Sequence, residues 1–204
     1  MKTLLKVQAS LYGQRGQSTH LADRFAEQWL ANNPDGRVVT RDLASSPVPH
    51  LTAERFQAFA TAPAERTPEQ QAAADYSDAL VAELQNADVI VFAVPMYNFS
   101  VPSTVRAYFD HIARAGVTFR YTANGPEGLI KGKNAYVFIT RGGIYEDAAD
   151  TQTPYLKQFL SFIGITDVEF IYAQGLAMGE GAREKSLASA SHSIAKLFPL
   201  SVAA

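Results

Sequence analysis

Residues 88–94 read DVIVFAV, with one polar side chain, at the first position. Side chains in a strand alternate between the two faces of its sheet, so a strand that stays apolar at every position is covered on both. Asp88–Val94 therefore belongs in the middle of a parallel sheet with helices above and below. Four other runs suit strands: Thr3–Ala9, Arg37–Arg41, Asn134–Thr140 and Asp167–Tyr172. Helical patterns alternate with them. Leu21, Phe25 and Trp29 recur every fourth residue, as do Tyr76, Leu80 and Leu84, and Val105, Phe109 and Ile112 keep a similar face. Ser100 and Pro102 read as the cap and early-turn proline of that last helix, and Gly116 as its exit. Further helices are expected after Pro154 and over Glu180–Phe198. Five strands in this alternation specify an α/β protein of three layers, a doubly wound parallel sheet between helices.

The 204 residues suffice for one domain of this kind. No linker, repeat or low-complexity tract divides them, so a single domain over residues 1–204 is expected. Ser45–Pro68 and Gly116–Gly132 read as long loops. A formal net charge of −2 leaves no basic excess to displace counterions, which argues against a nucleic-acid partner. No apolar run approaches the roughly 20 residues of a membrane span, and the opening MKTLLKVQAS reads as a strand rather than an export signal. The chain has no cysteine, which removes disulfides, thiolate nucleophiles and Cys-ligated metals together. His20, His50, His111 and His192 form no ligand spacing, so no metal is expected. The cytoplasm is the expected location.

Ligands of an open α/β sheet bind beyond the carboxyl ends of its strands. Three loops there carry signals. The first, SLYGQRGQS (Ser10–Ser18), leads straight into a helix, and Gly13 and Gly16 let it curl. Ser10, Gly16, Gln17 and Ser18 offer hydroxyls and unpaired amides at a helix start whose first turn has no acid, which suits a phosphate. Capping by Ser18 alone accounts for the same pattern. The second runs from Pro95 to Pro102. Pro95, lacking an N–H, is expected to end the strand ladder, placing Met96, Tyr97, Asn98 and Phe99 where a ligand would lie. Tyr97 or Phe99 then meets a flat ring, or both fold back into the core. The third, TRGG, places Thr140, Arg141, Gly142 and Gly143 after a strand, as close-approaching donors or as a tight turn. A phosphate tail, an apolar tricycle and a polar rim together describe FMN.

At these residues the sequence resembles the FMN-dependent NADH-azoreductase/NAD(P)H quinone reductase family. The likeness rests on PMYNF (Pro95–Phe99), RAGVTFRYTANGPEGL (Arg114–Leu129), RGG (Arg141–Gly143) and FIGITDV (Phe162–Val168), in matching order and spacing. It implies a flavodoxin-like three-layer sandwich. It also implies an enzyme that reduces quinones and azo compounds by a ping-pong relay, with NADH or NADPH passing a hydride through the flavin and no catalytic side chain. Ser10 and Gly16–Ser18 would bind the FMN phosphate, and Met96–Phe99 and Thr140–Gly143 the ring. Tyr121, Phe162 and Tyr172 would face substrate, in a homodimer with sites at the interface. Thr140 stands where serine is common and Tyr172 where phenylalanine is. A flavodoxin-type electron carrier is the competing reading, but such a carrier needs a strongly acidic docking face. A phosphoryl-receiving domain would need carboxylates at the strand ends.

Overall fold

A computed structural model describes residues 1–199, so the last five residues of the expected 1–204 span lie outside the described part. In chain order the elements are β1 (Thr3–Gln8), α1 (Gln17–Asn32), β2 (Arg37–Asp42), α2 (Ala53–Ala60), α3 (Pro68–Asn86), β3 (Val89–Pro95) and α4 (Ser103–Ile112). They continue with β4 (Phe119–Thr122), β5 (Gly125–Gly128), β6 (Asn134–Thr140), α5 (Gln152–Ile163), β7 (Asp167–Ala173) and α6 (Glu180–Lys196). Five strands pair in parallel in the order β2-β1-β3-β6-β7, and β4 and β5 form a separate antiparallel hairpin. With the hairpin set aside this is the flavodoxin-like strand order.

The apolar run Val89–Pro95 is the middle strand of the five. Ile90, Phe92 and Val94 point to one face with Leu5, Val7, Val137 and Ile139, beneath Leu80 of α3, Val105 and Phe109 of α4 and Leu156 of α5. Val91 and Ala93 point to the other with Leu4 and Phe138, beneath Leu21, Phe25 and Trp29 of α1 and Ile194 of α6. Full burial of a Leu or Phe here contributes about 1.5–3 kcal/mol each. The edge strands β2 and β7, each paired on one side only, keep exposed positions.

Four expectations need correction. Pro95 does not end the ladder: it pairs with Thr140, and the next amide, Met96, donates to the Thr140 carbonyl at 2.8 Å. In a parallel strand alternate residues turn both N–H and C=O to the same neighbour. Met96 faces β6, so Pro95 faces the β1 side, where the pairing with β1 has already ended at Ala93, and its missing N–H costs no ladder bond. Ser100 is not a cap; Pro102 occupies that position and α4 exits at Ala113, with Gly116 beyond it. The Ser45–Pro68 stretch contains α2, capped by Thr52, whose hydroxyl accepts from the Arg55 amide at 3.3 Å. The Gly116–Gly132 stretch contains the β4–β5 hairpin.

That hairpin is seated backbone to backbone on the end of α5. Ile130 donates to the Ile163 carbonyl at 2.9 Å, and a Cβ on Gly128 would lie 2.1 Å from the Gly164 nitrogen. Gly128→Ala is therefore expected to destabilise the protein by about 2 kcal/mol through overpacking. An unchanged urea midpoint would contradict this.

His111 on α4 is fully buried, with Nδ1 2.9 Å from the Ala107 carbonyl, so Nδ1 carries the proton and Nε2 has no partner. Phe59 and Tyr76 meet the ring edge-on at 5.9 and 6.0 Å. Burial pushes the imidazole pKa below 6.5; Arg55 and Arg114 act the same way, against the Ala107 carbonyl and Asp110. The unfolded chain therefore takes up a proton first on acidification. The stabilising effect of the neutral ring is complete above pH 6.5 and is lost as pH falls below it toward the folded pKa. Tm is expected to drop through that window, and less steeply in His111→Leu. Equal slopes would contradict this.

Candidate functional site

Register brings three loops to one rim. Pro95 is level with Thr140, and Thr140 with Ala173, so β3, β6 and β7 release their chains side by side, while Gln8 near the end of β1 is level with Ala93.

The first loop folds back on itself: Gly13 donates to the Ser10 carbonyl at 2.9 Å, and Gly16 to that of Gly13 at 3.1 Å. A Cβ on Gly16 would sit 2.1 Å from Ser10 Oγ, so only glycine lets this turn close over Ser10. Gly16, not Ser18, caps α1, and it brings no side-chain acceptor. His20 is the first amide bonded within this helix start, to the Gly16 carbonyl at 3.0 Å. The amides of Gln17, Ser18 and Thr19 are left without acceptors among the described residues, as helix starts are unless something caps them. The first turn holds no acid. Ser18 lies buried inside the turn, and its Oγ has no hydrogen-bond partner.

The second loop is a two-residue reversal. Tyr97 and Ser100 exchange backbone hydrogen bonds of 3.0 and 3.1 Å around Asn98 and Phe99, whose φ values are +50° and +64°. Positive φ at both central positions makes this a type I′ turn. Asn98 suits that conformation; a bulky ring at Phe99 does not, and the strain is of order 1–3 kcal/mol. The Thr151 hydroxyl holds the turn by donating to the Phe99 carbonyl. Tyr97 ties this loop to the first, its hydroxyl accepting from the Leu11 amide at 3.1 Å.

The third loop is anchored from behind. The Arg141 side chain turns away from solvent and is fully buried. It donates to Asp150 at 2.7 Å, Thr153 Oγ1 at 3.0 Å, Gln174 Oε1 and the Tyr145 carbonyl at 3.2 Å, and Gln152 Oε1 at 3.3 Å. Burial works to raise the Asp150 pKa, but hydrogen bonds from Thr153 and Arg141 outweigh it and hold the carboxyl below its usual range. The amides of Gly142 and Gly143 have no acceptor among the described residues.

Between the loops lies a cleft of about 380 Å³. Ser10, Tyr12, Arg15, Gly16 and Gln17 line one end, Pro95, Met96 and Tyr97 a wall, and Thr140, Arg141 and Gly142 the opposite side, with Leu176 and Arg183 closing it. Of the residues expected at a cofactor, Asn98 lines an adjoining hollow with Met96 and Tyr97, and Phe99 stands 62% exposed against Tyr145. Gly143 does not line the cleft, and Ser18 lies buried beneath the first loop. The three residues expected at substrate lie elsewhere in a single chain. Tyr121 is 76% exposed on the hairpin, and Phe162 lines a groove of about 580 Å³ with Pro126, Tyr155 and Phe159. The Tyr172 hydroxyl sits 3.2 Å from Thr153 Oγ1, under the Arg141 guanidinium. Sequence reasoning passed over Tyr12, Arg15, Leu176 and Arg183; Leu176 belongs to the connection after β7, a strand end at the same rim, and Arg183 to the first turn of α6.

The donor set fits a phosphate. Three consecutive free amides and a buried hydroxyl lacking a partner stand at the helix start beside a cleft whose lining includes Arg15 and Arg183 and no carboxylate. Among the described residues no cluster of His, Asp or Glu could hold a metal, and no helix is long and apolar enough to cross a membrane.

Residues 1–198 match the sequence profile described as Flavodoxin-like fold. The chain is 53% identical over 195 residues to the FMN-dependent NADH:quinone oxidoreductase of Cellvibrio japonicus, covering 95% of this chain and 97% of that protein. It is 51% identical to FMN-dependent NADH:quinone oxidoreductase 6 of Burkholderia lata, over 96% of this chain and 99% of that one. The crystal structure of azoreductase from Bacillus anthracis superimposes with a TM-score of 0.89 at 27% identity, covering 97% of this chain and 99% of that one.

Proposed function

The chain belongs to the Flavodoxin-like fold family, and from that membership and its cleft we propose that it is an FMN-dependent NADH:quinone oxidoreductase. One observation carries the reading: unpaired donors at one end of the cleft and an aromatic wall at the other belong to three loops of one sheet rim. Its relatives' names supply the redox partners. When bound, FMN supplies the two-electron chemistry between a nicotinamide donor and an acceptor.

The chain's own residues bind and orient. Ser10 Oγ and the amides of Gln17 to Thr19 would hold the phosphate, with the Ser18 hydroxyl satisfied in the same act. Gly16 keeps that end open. Met96 and Tyr97 would border the ring, with Asn98 and Phe99 beside it on the turn. The free amides of Gly142 and Gly143, beside Thr140 and Arg141, would be the donors to the ring's carbonyls, and preorganised donors of this kind stabilise developing negative charge. No side chain is assigned a proton transfer. With FMN held there, donor and acceptor would use the cleft in turn, a ping-pong order, and flat azo compounds would join quinones as acceptors. The nicotinamide pool places the reaction in the cytoplasm.

Tyr121, Phe162 and Tyr172 stand away from the cleft of their own chain, so the reading includes a homodimer in which a second copy brings aromatics to the ring face. Sedimentation giving twice the chain mass supports this; a monomer at working concentration contradicts it.

The activity is tested anaerobically. Protein loaded with FMN and freed of excess is mixed with NADH and then with a quinone. Bleaching on the first addition and recovery of the yellow colour on the second are expected. A protein that retains no FMN, or whose colour NADH leaves unchanged, would refute the function.

A further inference from the structure

Two arginines far apart in sequence, Arg15 and Arg183, line the same cleft. Arg15 ends the short helical turn Gly13–Arg15 just before α1, and Arg183 lies in the first turn of α6, its amide donating to the Gly179 carbonyl at 3.1 Å. Both line the cleft. Neither forms an ion pair among the described residues, although Glu180 and Glu184 share α6 with Arg183.

The placement is electrostatically unfavourable in the empty protein. A helix start carries partial positive charge, so a cation there is repelled where a carboxylate would be attracted. Here Arg15 immediately precedes α1, whose start has neither an acidic residue nor a capping side chain, and Arg183 stands in the first turn of α6, where Glu180 is the one acid. A dianion in the cleft turns every one of these repulsions into an attraction.

We propose that Arg15 and Arg183 form a cationic clamp that closes on the FMN phosphate from the side opposite the amides of Gln17 to Thr19, so that this protein selects the phosphorylated flavin over riboflavin by charge. The inference rests on the FMN reading above and adds to it two residues whose role is binding, not turnover. Arg183 reaches the phosphate from the last helix of the sheet, so the clamp also fastens α6 to the start of α1 when flavin is bound.

The test uses flavin-stripped full-length protein, titrated with FMN and with riboflavin by fluorescence quenching, in the parent, Arg15→Gln and Arg183→Gln. Each variant is expected to lose about tenfold or more in FMN affinity, as removal of a charge-assisted contact does, and to bind riboflavin as the parent does. Flavin-free Arg183→Gln is expected to melt no lower than the flavin-free parent, because the side chain forms no ion pair among the described residues. Unchanged FMN affinity, or an equal loss for both flavins, would overturn the clamp. A parent that binds neither flavin would overturn the functional reading and the clamp with it, which separates the two failures.

Discussion

Arg141→Met is expected to lower stability by about 3–5 kcal/mol and to abolish flavin retention. The guanidinium is fully buried and donates to five groups, among them the Asp150 carboxylate at 2.7 Å. Deleting one member of a buried ion pair strands the other, and the unmet desolvation of Asp150, Gln152, Thr153 and Gln174 adds to the loss. Those groups belong to the loop after β6, to α5 and to the loop after β7, so the third wall of the cleft loses its support at once. The Asp150 pKa is lowered from 3.8, so the carboxylate's contribution is present above that pH and lost as pH falls through the lower folded value. The gap between parent and variant in urea midpoint is thus widest near neutrality and narrows in strong acid. A loss below about 1 kcal/mol at neutral pH would contradict the hub role.

Gly16→Ala is expected to weaken FMN binding about a hundredfold or more, roughly 2.7 kcal/mol, while the sheet stays folded. The new Cβ would fall 2.1 Å from Ser10 Oγ and 2.4 Å from Ser10 Cβ. Rotating the hydroxyl relieves the first contact but not the second, so the backbone must shift. The shift moves the start of α1, where the unpaired amides of Gln17 to Thr19 must converge within a few tenths of an ångström on one anion. Fluorescence titration of stripped protein checks this; an FMN affinity equal to the parent's would contradict it.

The sheet was legible because hydrophobic pattern and strand covering are the same fact: DVIVFAV could only be a middle strand, and Asn134–Thr140 was placed to the residue. Helices with a regular apolar stripe, such as Leu21, Phe25 and Trp29, were equally plain. Less visible was structure fixed by contacts distant in sequence. The hairpin Phe119–Gly128 carries no alternating apolar pattern; what holds it is the close approach of Gly128 to Gly164. The helix Ala53–Ala60 is short, and only one of its residues is buried. In the site, the three loops that were singled out do share one cleft, because parallel register aligns strand ends. Side-chain direction was not legible. Arg141 looked like a ligand contact and its side chain is a buried anchor, whereas Arg183, unremarkable beside Glu184, lines the cleft. A positive φ at Phe99 leaves no trace in residue type, since glycine is what that turn position favours.

Crystals grown with FMN and solved to atomic detail measure the whole account in one experiment. The phosphate is expected within hydrogen-bonding distance of the Gln17, Ser18 and Thr19 amides, with Arg15 and Arg183 turned onto it and the ring lying along Met96, Tyr97 and Gly142. FMN bound at the groove of Phe159 and Phe162 instead, or a phosphate directed away from the start of α1, would contradict it.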